Sequence, residues 1–176
     1  MARAYIAVGS NILPAESITK ALRLLAQRVK VTAISTVYQT RPEGGRVQPP
    51  YYNCVLAADT ETPPNELKRS VLRAVEDQLG RQRGDDKFAS RTIDLDLILY
   101  GELTLSTGDL ALPDPEIRER PYLAAGLSEL DPGLVMPDTG ERIADIAARL
   151  GRRDSAMVAL PDYTRELRRE IANGHG

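Results

Sequence analysis

Polar and apolar residues alternate from Arg91 to Tyr100 (RTIDLDLILY). Thr92, Asp94, Asp96, Ile98 and Tyr100 share one parity, and Ile93, Leu95, Leu97 and Leu99 the other. A period of two with one wholly apolar face predicts a β-strand. Three further strands are predicted at 4–9 (AYIAVG), 29–38 (VKVTAISTVY) and 51–60 (YYNCVLAADT), apolar or β-branched runs bounded by turn residues. The spacing changes to that of a helix over 14–27, with Ile18, Leu22 and Leu25 as the buried stripe. A second helix begins at Thr62-Pro63-Pro64, places Leu67, Val71, Val75 and Leu79 on one face, and ends at Gly80.

The order β-α-β-β-α-β predicts an α+β fold, a ferredoxin-like two-layer sandwich with a mainly antiparallel sheet. Both helices would cover one face, leaving the Asp94/Asp96 face open. Beyond Tyr100 the expectation is a hairpin turning at Gly101-Glu102, an extended elbow at Pro113-Asp114-Pro115, and short helical additions near 122–130 and 141–150. A charged helix at 162–172 shows only a solvated face. The chain thus divides into one domain over 1–160 and a charged C-terminal helix or tail over 161–176.

The 176 residues suffice for a real core. A net charge of −2 supplies no basic field for nucleic acid. The lone Cys54 lies in an apolar strand and reads as a small hydrophobe, and the single histidine, His175, sits in a glycine-flanked tail. A histidine-based metal site or a Ser-His-Asp triad is therefore not expected. No apolar run is long enough to span a bilayer and no signal peptide is visible. The expected setting is the cytoplasm, as a monomer or weak homodimer.

Asp94 and Asp96 project from one side of their strand with Cα atoms roughly 6.6 Å apart. At roughly 5 Å and an effective dielectric near 20 their charges repel by about 3 kcal/mol. A hard cation such as Mg²⁺ suits such a pair, although acids also alternate on many wet strand faces. Arg81, Arg83, Lys87 and Arg91 precede the acidic strand, and Arg118 and Arg120 follow it. Guanidinium forks match phosphate oxygens, so acids and arginines together suit a Mg²⁺-polyphosphate ligand. The arginines also simply neutralise nearby acids, and both readings stand at this point. Gly9-Ser10-Asn11 reads as a tight turn and helix N-cap. No Walker A pattern and no kinase HRD or DFG set occurs. The segment 39–50 (QTRPEGGRVQPP) is too polar for core and long for a connection, which makes it a candidate functional loop.

AYIAVGSN, YYNCV, GRQR and RTIDLDLILYG, with LPDPEIRERPYL and LVMP beyond, resemble the 6-hydroxymethyl-7,8-dihydropterin pyrophosphokinase family of folate biosynthesis. The resemblance runs from about Ala4 to Pro137. It implies transfer of the β,γ-diphosphate of ATP to the pterin hydroxymethyl oxygen, leaving AMP. It implies two Mg²⁺ ions on Asp94 and Asp96, with Arg81 and Arg91 joining them as catalytic residues. Tyr51 and Tyr122 would sandwich the pterin and Asn53 would bond its edge. Arg81, Arg83, Arg91, Ile98, Asp114 and Arg120 would form the nucleotide site. The chain departs from the family pattern at Asp114, where a histidine is usual, at Phe88, where a tryptophan is often found, and at Glu43, an apolar position. The rival readings are a catalytically weakened nucleotide-binding homologue and an RNA-binding module of the same strand order, which would need exposed strand aromatics such as Tyr5 and Tyr51.

Overall fold

The computed structural model describes residues 1–151 and 156–174. Strand β1 (Ala2–Ser10) leads to α1 (Pro14–Ala26), and β2 (Lys30–Ile34) and β3 (Tyr38–Thr40) precede β4 (Tyr51–Thr60). A continuous helical rod follows as α2 (Pro64–Glu66), a π-helical stretch (Leu67–Leu72) and α3 (Arg73–Gln78). Next come β5 (Asp94–Tyr100), β6 (Leu105–Thr107), β7 (Leu110–Leu112) and a 3₁₀ turn (Pro115–Arg118). Helices α4 (Pro121–Leu130) and α5 (Ile143–Gly151), the short β8 (Val158–Ala159) and helix α6 (Pro161–Asn173) complete the order.

The main sheet runs β5-β1-β4-β3-β8, with β2 also paired to β4, and every pairing in it is antiparallel. The predicted strand 29–38 is two strands because the chain leaves the ladder at Ser35–Val37. There the Ser35 hydroxyl accepts from Val55 N at 2.9 Å and replaces a backbone partner. The hairpin after Tyr100 also differs from expectation: the chain turns at Gly101, φ 53°, but the strands that pair are β6 and β7.

One core lies under α1, the helical rod and α6, and holds Ile6, Leu25, Leu56, Leu72, Leu95 and Leu97. A second lies on the opposite face under α4 and α5, and holds Tyr5, Val55, Ala57, Ile98 and Leu99. The expected open face is therefore covered in part, by α4 and α5. Gly126 allows this, since a Cβ there would stand 2.8 Å from Val55 Cγ2. A register shift between Tyr5 and Ile6 moves their β5 partners from Leu99 to Leu97. This bulge turns Leu99 onto the second face and Tyr100 onto the first, against simple alternation.

Helix α6 is more than a solvated face. Leu167 and Thr164 are fully buried, the Thr164 hydroxyl accepts from Val37 N at 2.9 Å, and Arg23 pairs with Glu170 at 2.8 Å. Leu167→Ala is expected to lower stability by about 2–5 kcal/mol, the range for a core leucine, as measured by chemical denaturation. His175 lies outside the described residues.

Candidate functional site

The site grows from one row of the sheet. Gly9 on β1 faces Asp94 on β5 at one side and Asn53 on β4 at the other. Ala7, one pleat away, faces Asp96. Strands lie about 4.8 Å apart, so the acid and amide backbones sit about 10 Å apart, and only small residues stand between them. A Cβ on Gly9 would come within 2.7 Å of Asn53 Oδ1. Gly9→Ala should thus displace the amide and raise KM for a ligand bound by Asn53 about tenfold, with KM for a ligand bound at the acids unchanged; steady-state kinetics on both substrates would check this.

Above this floor lies a cavity of about 510 Å³ lined by Tyr51, Asn53, Arg91, Asp94, Asp96, Arg120 and Tyr122, among others. Of the residues expected in the site, these seven meet there. Arg81, Arg83, Ile98 and Asp114 do not line the cavity. Ile98 is buried beneath α4, though its carbonyl accepts from Asp114 N at 2.9 Å. The Asp114 carboxylate accepts from Glu116 N at 2.9 Å and caps the 3₁₀ turn. Burial raises its pKa.

Both oxygens of Asp94 are occupied: Arg81 donates to Oδ1 at 2.5 Å and Arg91 to Oδ2 at 2.7 Å. Arg81 is itself held by the buried Glu76, which also reaches Arg83 at 3.4 Å. Asp96 accepts no side-chain hydrogen bond among the described residues. Its pKa is raised to about 7, first by the surrounding protein, then by Asp94, Asp114 and Glu116, with Arg81 opposing. Water reaches its carboxylate through the cavity, which tempers the shift. An unpaired carboxylate with raised proton affinity, beside one held only by arginines, suits a divalent cation that brings its own oxygen-rich ligand. No group of three or more acidic, histidine or cysteine side chains that could hold a metal occurs among the described residues. Such an ion would need water or ligand oxygens besides the two aspartates.

Arg120 pairs with Glu43 and, at 3.1 Å, with Glu116, while its Nε and that of Arg81 are buried without a partner among the described residues. Of the two, Arg120 lines the cavity, so its Nε is the donor that a small shift of the side chain would offer to an anionic oxygen. Tyr51 and Tyr122 both reach the cavity without forming a ring pair. Burial pushes the Tyr122 hydroxyl up to about 12, so it stays neutral.

Asn11 is not the helix cap: Leu13 holds that position at φ 43°, with no side-chain cap bond. Asn11 instead joins the two loops that flank the cavity. Its Nδ2 donates to Gln48 and Ser90, both at 3.3 Å, and its Oδ1 accepts from Arg91 N at 2.7 Å. Gln48 donates to the Phe88 carbonyl at 2.6 Å, and Arg46 pairs with Asp86 at 2.5 Å. Gly44, φ 78°, lies against the Phe88 ring, where a Cβ would come within 3.0 Å. Gln48 and Glu76 were not singled out from the sequence, and Asn11 only as part of the turn Gly9-Ser10-Asn11. Glu76 carried one signal, an acid next to the buried stripe residue Val75.

A sheet-floored cavity where carboxylates, guanidiniums and tyrosines converge is the kind of site an enzyme acting on small molecules builds. The family model described as 7,8-dihydro-6-hydroxymethylpterin-pyrophosphokinase matches residues 5–132, and the chain belongs to this family. It is 35% identical over 149 residues to the 2-amino-4-hydroxy-6-hydroxymethyldihydropteridine pyrophosphokinase of Pseudomonas aeruginosa, covering 83% of this chain and 90% of that one. It is 36% identical over 130 residues to the Bacillus subtilis protein of the same name, covering 72% and 77%. Its fold is similar to that of wild-type Plasmodium falciparum HPPK-DHPS crystallised with pteroate, with a TM-score of 0.69 at 13% identity, over 86% of this chain. The match covers 43% of that longer protein, so this chain spans under half of its length.

Proposed function

We propose that the protein transfers the β,γ-diphosphate of ATP to the hydroxymethyl oxygen of 6-hydroxymethyl-7,8-dihydropterin, the reaction its relatives are named for. The observation that carries this reading is the floor row Asp94–Gly9–Asn53, which sets an acid end and an amide end about two strand spacings apart. The pterin lies between Tyr51 and Tyr122, where stacking selects a flat ring, and Asn53 meets its edge as donor and acceptor. Its hydroxyl oxygen attacks the β-phosphorus in line. The bond from that phosphorus to the α–β bridging oxygen breaks, AMP departs with the electron pair, and the hydroxyl proton is released. Asp94 and Asp96 would hold two Mg²⁺ ions, which when bound supply neutralisation and alignment of the phosphates. Arg91 and Arg120, which line the cavity, turn from their carboxylate partners to phosphate oxygens when the nucleotide binds and so are in place before charge develops, while Arg81 backs Asp94 beside the cavity. Asn11 holds the flanking loops together so that water is kept from the nucleotide.

The strand order supports the ferredoxin-like βαββαβ assignment: β5, β1, β4 and the β2/β3 pair lie fourth, first, third and second in sequence. We place the protein in the cytoplasm, as a monomer or weak homodimer acting on small molecules. Among the described residues no helix is long and apolar enough to cross a membrane. An RNA-binding role is disfavoured because Tyr5 is buried beneath α4 and α5 rather than displayed. Incubation with ATP, magnesium and the pterin should yield AMP and the pterin diphosphate by mass. ADP would replace this reading with simple phosphoryl transfer. Absence of turnover despite ATP binding would favour the catalytically weakened homologue.

A further inference from the structure

The matched family region ends at residue 132, yet Met157, far beyond it, lines the cavity. The route is visible in the sheet. Strand β8 pairs with β3 through Gln39↔Val158 and Tyr38↔Ala159. Continued by one residue, that register sets Met157 beside Thr40, and Thr40 in turn pairs with Tyr51. Paired residues present their side chains on the same face, so Met157, Thr40 and Tyr51 form a file across the outer edge of the floor. The Thr40 hydroxyl accepts from Asn53 Nδ2 at 2.7 Å, which ties this file to the amide end of the site. Helix α6 anchors the segment through the Leu160 N to Val37 O bond of 2.8 Å and the buried Thr164 and Leu167.

We propose that Met157 is a specificity-determining residue for the pterin, supplied by the C-terminal segment as the outer wall of the ring pocket. The inference rests on the pterin reading above. A thioether side chain is flexible and polarisable, and it contacts aromatic edges favourably. It is suited to close the pocket at the ring edge that Asn53 and the two tyrosines leave uncovered. Thr40 keeps the amide oriented, and Met157 limits how far a ring substituent extends toward β8.

The test is steady-state kinetics on the full chain with three variants. Met157→Ala should raise KM for the hydroxymethyl dihydropterin about five- to tenfold, with kcat and KM for ATP within about twofold of wild type. It should also narrow the preference for the parent pterin over a bulkier alkyl-substituted one. Met157→Leu, similar in volume, should stay within about twofold of wild type. Met157→Trp should exclude the pterin while leaving ATP affinity unchanged. Unchanged pterin KM in both the Ala and Trp variants would overturn the proposal, as would loss of ATP affinity in equal measure. Met157 is only partly buried, so the variants should melt with the wild type. If the wild type itself forms no AMP, the pterin reading fails and this inference falls with it. If the wild type turns over and the variants match it, only the role of Met157 fails.

Discussion

Asp96→Asn is expected to abolish diphosphate transfer, by about a thousandfold or more, while raising the stability of the ligand-free protein at pH 8. Both effects have one cause. Asp96 is the acid of the pair without a cationic partner, and its folded pKa of about 7 lies above the ordinary carboxylate value. Below about pH 4 it is protonated in both folded and unfolded chains and has no influence on stability. Between about pH 4 and 7 the unfolded chain loses its proton first, so stability falls as pH rises. Above about 7 the full penalty of holding a second charge beside Asp94 is present. The shift alone corresponds to about 4 kcal/mol, and water reaching the carboxylate reduces it to about 1–2 kcal/mol. The variant should therefore melt about 3–6 °C higher at pH 8 and nearly with the wild type at pH 4. Equal melting at both pH values, or full activity in the variant, would remove Asp96 from this role. Apparent magnesium affinity of the wild type should weaken below about pH 7, as the carboxylate takes up its proton.

The sequence disclosed elements whose signals are local. Strand β4 runs from Tyr51 to Thr60 as its apolar run and flanking prolines predict. Gly80 ends the helical rod at φ 74°. What was hidden depends on partners distant in sequence. Alternation through β5 cannot reveal the bulge opposite Tyr5 and Ile6, because the extra residue is defined only against β1. The stripe Leu67, Val71, Val75, Leu79 missed Leu72, which a π-turn brings inward to join Leu67 and Val75 in the first core. Charges along α6 masked Leu167, whose burial requires α1 and β2 to be in place.

The site divides in the same way. Asp94 and Asp96 were legible because two acids share one parity, and the tyrosines and Asn53 followed from resemblance. The arginines were legible as a group but not in their resting partners. Gly9-Ser10-Asn11 reads as a local turn and cap, whereas the bonds of Asn11 reach 37 and 79 residues along the chain. Met157 left no trace, since its place depends on a two-residue strand docking at the far edge of the sheet.

Arg91→Ala is expected to lower kcat about a hundred- to thousandfold with a much smaller change in KM for either substrate. Arg91 bridges the two halves of the site. Its Nη1 holds Asp94, its Nη2 donates to the Lys87 carbonyl at 2.6 Å, and its backbone N–H reaches Asn11. The Asn11 bond survives truncation because it is made by the main chain, so the loop clasp should persist and ground-state binding should suffer little. The guanidinium that could follow the charge onto the phosphate oxygens is lost. Arg91→Lys should recover only part of the rate, because an ammonium supplies the charge without the two-point fork. Single-turnover measurement separates this from product release. A chemical step unchanged by Arg91→Ala would assign the residue to holding Asp94 alone. A loss confined to KM would assign it to loop order, and neither outcome is compatible with a guanidinium that acts on the transferring diphosphate.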